Sequence, residues 1–210
     1  MSSESANAGP QKQSQKRSLE QFLRDTFRNP LNAAASFLQR LGITANIITV
    51  AGLAVNVLAS VLIGAGDLIF GGLVLLIGAP MDALDGALAR LSGSSSPFGA
   101  FLDSVTDRYA ELFLFAGLLI HFLNIGDITA CILVFISAAG SVLVSYIKAR
   151  AESLGYECKV GLLSRVGRMV VLIPGLIFNI PMVSLWILAI FTHVTALQRF
   201  LYVQKQANLH

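Results

Sequence analysis

Residues 68–107 read LIFGGLVLLIGAPMDALDGALARLSGSSSPFGAFLDSVTD. An apolar run over 68–88 is followed by a turn-rich linker, Leu91–Pro97, and by a second apolar run that starts at 98. About 20 apolar residues are needed to cross the hydrocarbon core of a bilayer as a helix. The stretch therefore predicts a hairpin of two membrane-spanning helices, and it contains four aspartates: Asp82, Asp85, Asp103 and Asp107.

The composition of the whole chain points to the same class of protein. Of 210 residues, 55% are hydrophobic and 13% are charged, against about 45–50% and 25% in an average soluble domain. These values exclude a water-soluble globular protein. The two cysteines have no CxxC spacing and the three histidines are scattered, which excludes a disulfide scaffold and argues against a zinc enzyme.

Outward from the hairpin, the sequence predicts six spans in an all-α integral membrane fold: 46–64, 68–88, 98–122, 128–150, 164–180 and 182–203. Every Lys and Arg lies in the N-terminal region, at alternate connections or near the C-terminus, and the three other connections contain none. By the positive-inside rule, both termini are cytoplasmic, which requires an even number of spans. We therefore expect a multi-pass protein of the cell (plasma or inner) membrane.

The N-terminal region differs from the rest of the chain. Residues 1–17 are polar and predict a disordered cytoplasmic tail without a cleavable signal peptide. Residues 18–42 carry apolar side chains at helical spacing with arginines between them, which predicts an amphipathic helix in the membrane interface. A surface helix packed on a core is the alternative, and Asn29-Pro30 could break the helix in two. The six-helix domain then covers 43–205.

The aspartates are unusual because a carboxylate at membrane depth costs roughly 2.5–3.5 kcal/mol and is by default functional. Asp82 and Asp85 are three residues apart, so they share one helical face. Asp103 and Asp107, four residues apart, share a face of the next helix. The hairpin can bring all four together near the cytoplasmic surface, where their mutual repulsion requires a cation. Oxygen ligands without His or Cys favour Mg²⁺ or Mn²⁺, and a two-metal cluster suggests phosphoryl chemistry.

Two glycines accompany the carboxylates. Gly86 follows Asp85 directly, and Gly99 lies four residues before Asp103. A residue without a side chain lets a phosphate or a neighbouring backbone approach closely. Helix packing through small residues, which is common in membranes, is the alternative explanation.

The order of these residues resembles a known signature. Asp82-Ala-Leu-Asp85-Gly86-Ala-Leu-Ala-Arg90, eight residues, Gly99, three residues, Asp103, three residues and Asp107 match the motif of the CDP-alcohol phosphatidyltransferase family at each fixed position. The resemblance covers about 41–199. It implies a six-helix membrane fold, usually homodimeric, with a cytoplasmic active site. It also implies the reaction, in which a hydroxyl of an acceptor alcohol attacks the lipid-linked phosphate of CDP-diacylglycerol and CMP leaves.

The resemblance and the chemistry of carboxylates together imply roles for individual residues. Asp82, Asp85 and Asp103 are expected to ligate two Mg²⁺ ions, for which Mn²⁺ could substitute. Asp107 is expected to share a metal and to accept the proton of the attacking hydroxyl. The positions that match CDP-lipid-binding residues of the family are Asn46, Thr49, Gly86, Arg90 and Ser96.

Basic residues at three helix ends bear on the acceptor. Lys148, Arg165, Arg168 and Arg199 lie on the same predicted side as the aspartates. Lys148, Arg168 and Arg199, together with the run Ser-Tyr-Ile-Lys-Ala-Arg-Ala-Glu over 145–152, resemble the phosphatidylinositol-phosphate synthases of this family. There such residues hold the phosphate of the acceptor, and a phosphorylated alcohol needs a cationic pocket of this kind. The resemblance therefore implies inositol 1-phosphate, although anchoring by the positive-inside rule could also explain basic residues at helix ends.

Two other functions stay open at this point. An acceptor glycerol 3-phosphate would make the protein a phosphatidylglycerophosphate synthase with the same motif. Intramembrane carboxylates could also line a divalent-cation transporter, but transport predicts acidic residues near the bilayer midplane and broken helices. Here the aspartates cluster towards one end of their spans. We expect no nucleic-acid partner.

Overall fold

The computed structural model describes residues 19–208, with side chains described from Asn29 onward. Within that range the chain forms eight helices: α1 Leu19–Arg40, α2 Ala45–Gly64, α3 Leu68–Gly78, α4 Met81–Leu91, α5 Pro97–Ile125, α6 Ile128–Ser153, α7 Arg165–Ile177 and α8 Pro181–Ala207. The described residues contain no strand, which confirms the all-α prediction. The predicted disordered tail over 1–17 lies outside the described residues.

Five stretches of the described chain have the length and hydropathy of a membrane span: Ala45–Gly64, Leu68–Leu91, Pro97–Ile125, Ile128–Ser153 and Pro181–Ala207. They confirm an all-α membrane protein and overlap five of the six predicted spans. The remaining predicted span corresponds to α7, which has 13 residues. At 1.5 Å per residue α7 is about 20 Å long, short of the ~30 Å hydrocarbon core.

The difference at α7 has a local cause. The helix starts after Ser164, whose side chain accepts a hydrogen bond from the Gly167 amide. It ends at Ile177, and Asn179 then adopts a left-handed conformation with φ 56°. The sequence predicts a longer helix because apolar side chains continue into the turn that joins α7 to α8.

The hairpin of the opening stretch is formed by α3, α4 and α5. Pro80 lacks an amide proton, so the hydrogen-bond ladder is interrupted between α3 and α4. After the linker, Ser96 caps α5 by accepting a hydrogen bond from the Gly99 amide at 3.0 Å, and Pro97 takes the first helical position. Proline suits this position because the missing amide proton has no helical partner there. These two residues fix the start of α5 and therefore the positions of its aspartates.

The bundle is held by close helix contacts on both sides of α2. The Ser60 hydroxyl donates to the Phe113 carbonyl, which joins α2 to α5. A Cβ at Gly117 would collide with the Ser60 carbonyl, so only glycine permits this approach. Helices α6, α8, α7 and α3 pack in succession around one apolar core. The end of the bundle that carries the aspartates is thereby held in place.

Helix α1 packs on α4 at this end of the bundle. Ala35 of α1 joins a second, smaller apolar cluster with Ile48, Ala87 and Leu88. The helix continues through Pro30 without a break. The predicted helix over 18–42 is therefore present, and its location in the membrane interface stays a prediction.

Candidate active site

The four aspartates lie on the two arms of the hairpin. Asp82 and Asp85 belong to α4, and Asp103 and Asp107 belong to α5. Asp82, Asp85 and Asp103 line one cavity, and Arg165 Nη1 contacts both Asp82 and Asp107. The structure therefore brings together the carboxylates that the sequence places on two helical faces.

Asp85 is the most deeply placed of these carboxylates. It is 5% exposed, and the Thr49 hydroxyl of α2 donates a hydrogen bond of 2.6 Å to Asp85 Oδ2. A buried carboxylate needs such a partner because burial without one is costly. Thr49, predicted from the resemblance to contact the CDP-lipid, thus also orients an aspartate.

Arg165 supplies positive charge between two of the carboxylates. Its Nη1 atom donates to Asp82 Oδ2 and lies 2.5 Å from Asp107 Oδ1. The side chain comes from the first position of α7, so that three helices meet at this ion pair. In this structure, Arg165 therefore supplies the positive charge that offsets the repulsion among the aspartates.

The donor set suits a hard divalent ion because it consists of carboxylate oxygens. As arranged, the described His, Cys, Asp and Glu side chains form no group of three or more that could hold a metal ion. Arg165 Nη1 instead stands between Asp82 and Asp107. This nitrogen occupies a position between two carboxylates that would suit a divalent cation. The residues therefore fit such an ion once the guanidinium has moved away.

A cavity of about 290 Å³ opens beside the carboxylates. The aspartates Asp82, Asp85 and Asp103 lie on its wall with Gly86 and Arg90. A Cβ at Gly86 would come within 3.3 Å of Arg90 Nη1, so glycine leaves room for this arginine.

The wall of the cavity also includes two residues that sequence reasoning missed. Leu31 and Asn32 of α1 line it together with α4. The periodicity of α1 predicts a helix with an apolar face, but nothing in that pattern indicates which neighbour the face covers. Helix α1 is thus part of the enclosure of the site.

The other residues expected to bind the CDP-lipid lie at the start of α5 and α2. Ser96 caps α5, and Gly99 is one turn further along. A Cβ at Gly99 would lie 3.2 Å from Ser96 Oγ and 3.6 Å from Asn46 Oδ1. Asn46, Ser96 and Gly99 are therefore neighbours. Thr49 follows Asn46 by about one turn of α2.

Arg168 and Arg199 are buried, each with several protein partners. Arg168 is 2% exposed, and it donates from Nε at 2.5 Å and from Nη2 at 3.0 Å to the two oxygens of Glu111. Its Nη1 atom is 3.4 Å from the Leu163 carbonyl. Arg199 donates to the carbonyls of Val160 and Val144 at 3.0 and 2.6 Å.

Lys148 has a different environment. Its side chain is about half exposed, and its partner is Glu152, at 3.8 Å. A surface pair of this kind contributes little to stability. Lys148 can therefore turn towards a ligand at small cost, whereas Arg168 and Arg199 would have to exchange a protein partner.

The segment over 154–164, between α6 and α7, is held by side chains of α8. Thr195 accepts a hydrogen bond from the Leu163 amide at 3.0 Å, and Gln198 accepts one from the Leu162 amide at 3.3 Å. Arg199 adds its bond to Val160. This segment leads directly into α7, so these contacts fix the position of Arg165, the first residue of that helix.

The Arg168–Glu111 pair yields a stability prediction. Glu111→Gln leaves the guanidinium buried without a charged partner, and breaking a buried pair from one side costs about 3–5 kcal/mol. We expect a clear fall in the midpoint of thermal unfolding in detergent, with partial recovery in Glu111→Gln combined with Arg168→Met. An unchanged midpoint in the single variant would show that the pair does not join α5 to α7.

Comparison with known proteins identifies the class of protein. A family model described as CDP-alcohol phosphatidyltransferase matches residues 42–198. The chain belongs to this family, which confirms the resemblance seen in the sequence. The match begins after α1, although α1 lines the cavity.

Two of the relatives that match most of the chain are named as synthases of inositol phosphate lipids. The chain is 34% identical over 188 residues to the archaetidylinositol phosphate synthase of Pyrococcus horikoshii, covering 89% of this chain and 97% of the relative. It is 36% identical over 185 residues to the phosphatidylinositol phosphate synthase of Mycobacteroides abscessus, covering 84% of each.

The solved structures include the phosphatidylinositol phosphate synthase of Mycobacterium tuberculosis. With CDP-DAG bound, that enzyme matches with a TM-score of 0.77 and 31% identity, over 82% of this chain and 92% of that chain. In complex with manganese and citrate it matches with the same TM-score, over 83% of this chain and 88% of that chain.

Proposed function

We propose that this protein transfers the phosphatidyl group of CDP-diacylglycerol to a hydroxyl of inositol 1-phosphate and releases CMP. The observation that carries the proposal is the meeting of Asp82, Asp85, Asp103 and Asp107 with Arg165 beside one cavity. The similarity to synthases named for inositol phosphate lipids supports this choice of acceptor.

The residues of the chain have distinct tasks in this reaction. The acceptor oxygen forms a bond to the lipid-linked phosphorus, the bond from that phosphorus to the bridging oxygen breaks, and CMP leaves with the electron pair. Asp107 takes the hydroxyl proton as general base. Gly86, Arg90 and Ser96 hold the CDP moiety with Asn46 and Thr49.

Asp82, Asp85, Asp103 and Asp107 would hold two divalent ions, Mg²⁺ by preference and Mn²⁺ as a substitute. When bound, such ions neutralise the pyrophosphate and stabilise the leaving group. The hydrogen bond from Thr49 keeps Asp85 oriented.

The four basic residues form the acceptor site in this proposal. Arg165 adjoins Asp107, so an acceptor phosphate on Arg165 places a free hydroxyl near the base. Lys148 is half exposed and can contribute a second positive charge. Arg168 and Arg199 are buried, and each binds the acceptor phosphate by giving up a hydrogen bond to the protein.

We also propose a placement in the membrane. The domain over 43–205 crosses the cell membrane six times, with α7 as a short crossing segment, and both termini and the active site face the cytoplasm. The tail over 1–17 is cytoplasmic, and the helix over 18–42 lies in the interface. The protein acts as a homodimer.

Lys148→Ala tests the acceptor site without disturbing a buried pair. A charge-assisted hydrogen bond to phosphate contributes about 1.5–3 kcal/mol, so its loss should raise the KM for inositol 1-phosphate roughly 10- to 150-fold. The KM for CDP-diacylglycerol should hardly change. Arg150→Ala is the matched control, since Arg150 is exposed and contacts Ser153. Equal effects of the two variants on the acceptor KM would contradict a specific role for Lys148.

The proposed reaction is tested by CMP release from CDP-diacylglycerol with each acceptor in turn. We expect release with inositol 1-phosphate and little with glycerol 3-phosphate. Use of glycerol 3-phosphate alone would replace the assigned acceptor but keep the reaction type. Absence of CMP release with any acceptor alcohol, combined with metal uptake into proteoliposomes, would favour a transporter.

A further inference from the structure

Arg165 contacts the aspartates in an arrangement that a guanidinium does not ordinarily prefer. Arginine commonly binds carboxylates through two parallel hydrogen bonds of its planar fork. Here one nitrogen, Nη1, reaches both Asp82 and Asp107, and Nε is buried without a hydrogen-bond acceptor among the described residues. The gap between the two carboxylates is therefore shaped for a point charge, and the arginine fills it imperfectly.

Two other arginines near the site, Arg108 and Arg168, have partners of their own. Arg108 lies 3.6 Å from Asp107, but it donates to the Ser104 carbonyl of its own helix at 2.9 Å. Arg168 is bound to Glu111 through two hydrogen bonds. Arg165 is thus the side chain whose displacement would open the space between Asp82 and Asp107.

We propose that Arg165 is an exchangeable counter-cation: it holds Asp82 and Asp107 together in the metal-free protein, and divalent-cation binding displaces it towards the phosphate of the acceptor. This inference rests on the proposed function for the identity of that phosphate. Two cations cannot occupy one gap, so metal binding and the Arg165 ion pairs exclude each other. Once displaced, the guanidinium can bind phosphate through its fork.

Thermodynamic linkage follows from this exclusion. If metal binding frees Arg165, it raises the affinity for phosphate by some factor. Bound phosphate then raises the affinity for the metal by the same factor. The acceptor pocket is consequently complete only in the metal-bound protein. The acceptor would therefore bind most tightly when the ions that neutralise the CDP-lipid are in place.

Metal affinity tests the competition directly. Mn²⁺ binding to the purified full chain is measured from the electron paramagnetic resonance signal of free Mn²⁺. Arg165→Gln should bind Mn²⁺ about tenfold more tightly than the wild type or better, which corresponds to ~1.4 kcal/mol. Arg165→Lys should bind Mn²⁺ less tightly than Arg165→Gln, because a lysine retains the positive charge that competes with the metal.

The control removes a charge near the same carboxylate. Arg108→Gln has the same net charge as Arg165→Gln, and we expect it to change Mn²⁺ affinity less than about threefold, as for a partly exposed and screened charge. Equal tightening in both variants would reduce the effect to general electrostatics and overturn the proposal. Unchanged or weaker Mn²⁺ binding in Arg165→Gln would also overturn it.

Thermal unfolding provides a second readout. In the presence of a chelator, Arg165→Gln should unfold at a lower temperature than the wild type, because Asp82 and Asp107 then lack their counter-cation. At saturating Mn²⁺ the difference should shrink or vanish. A deficit of the same size in both conditions would mean that Arg165 is an ordinary structural residue and would contradict the proposal.

Titration with phosphate separates this inference from the proposed function. Saturating Mn²⁺ should raise the affinity of the wild type for inositol 1-phosphate at least about fivefold, within the usual range of coupling between sites, and this factor should fall in Arg165→Gln. If glycerol 3-phosphate shows this coupling and inositol 1-phosphate does not, the inference stands and the inositol assignment fails. An identical factor in wild type and variant would overturn the inference even if inositol 1-phosphate is the substrate.

Discussion

Asp85→Asn is expected to lower metal-dependent CMP release by about 1,000-fold or more, as the loss of several kcal/mol of charge stabilisation requires. Asp85 is 5% exposed and bonded to Thr49, so the amide keeps the shape of the site while one ligand charge is lost. The measurement is CMP release across a titration of Mg²⁺ and of Mn²⁺.

Asp67→Asn is the matched control for this variant. Asp67 precedes α3, at the opposite end of the 20-residue helix α2 from Asn46. It removes an aspartate charge without touching the site, and we expect normal activity. Near-normal turnover of Asp85→Asn at limiting metal would show that the aspartates of the motif do not hold the ions.

Asp107→Asn should give the second large effect, a loss of about 10²- to 10⁴-fold in kcat, the usual contribution of a general base. The affinity for CDP-diacylglycerol should fall less than in Asp85→Asn, because the proposed role of Asp107 is to accept the proton of the acceptor hydroxyl. Turnover and CDP-lipid binding have to be measured separately, the latter with a non-reacting mixture that lacks the acceptor.

The same variant distinguishes a base from a further ligand. If Asp107→Asn and Asp85→Asn weaken CDP-lipid binding equally, Asp107 is a metal ligand without a separate proton-transfer role. Arg165 pairs with Asp107, so Asp107→Asn removes an ion pair as well as the proposed base. The variant Arg165→Gln therefore has to be measured beside it.

The sequence predicts the hairpin of this protein well. Helical periodicity places each aspartate pair on one helical face, and the turn-rich linker over 91–97 separates the two helices. Such features depend on residues within one turn of each other. The motif therefore indicates the family and the location of the carboxylates.

Contacts between distant helices could not be predicted in the same way. Arg168 meets Glu111 across 57 positions of the chain, and Arg165 meets Asp82 across 83. Both depend on where α7 lies relative to α4 and α5 in the folded chain, which periodicity does not encode. The resemblance links these arginines with a phosphate pocket, whereas the structure adds their carboxylate partners.

The apolar pattern over 164–180 also predicts a longer helix than α7, which ends at Ile177. Hydropathy alone does not distinguish Phe178 and Ile180 in a turn from the same residues in a helix. The left-handed conformation of Asn179 ends the helix, and a single sequence gives only a weak signal for it.

In the proposed reaction, an acceptor hydroxyl attacks the lipid-linked phosphate. Mass spectrometry of the products from CDP-diacylglycerol and inositol 1-phosphate, with Asp107→Asn as the blank, tests it most directly. We expect CMP and phosphatidylinositol phosphate in equal amounts. Phosphatidate together with a cytidine 5′-monophosphate ester of the acceptor hydroxyl would mean attack at the other phosphorus and would contradict it.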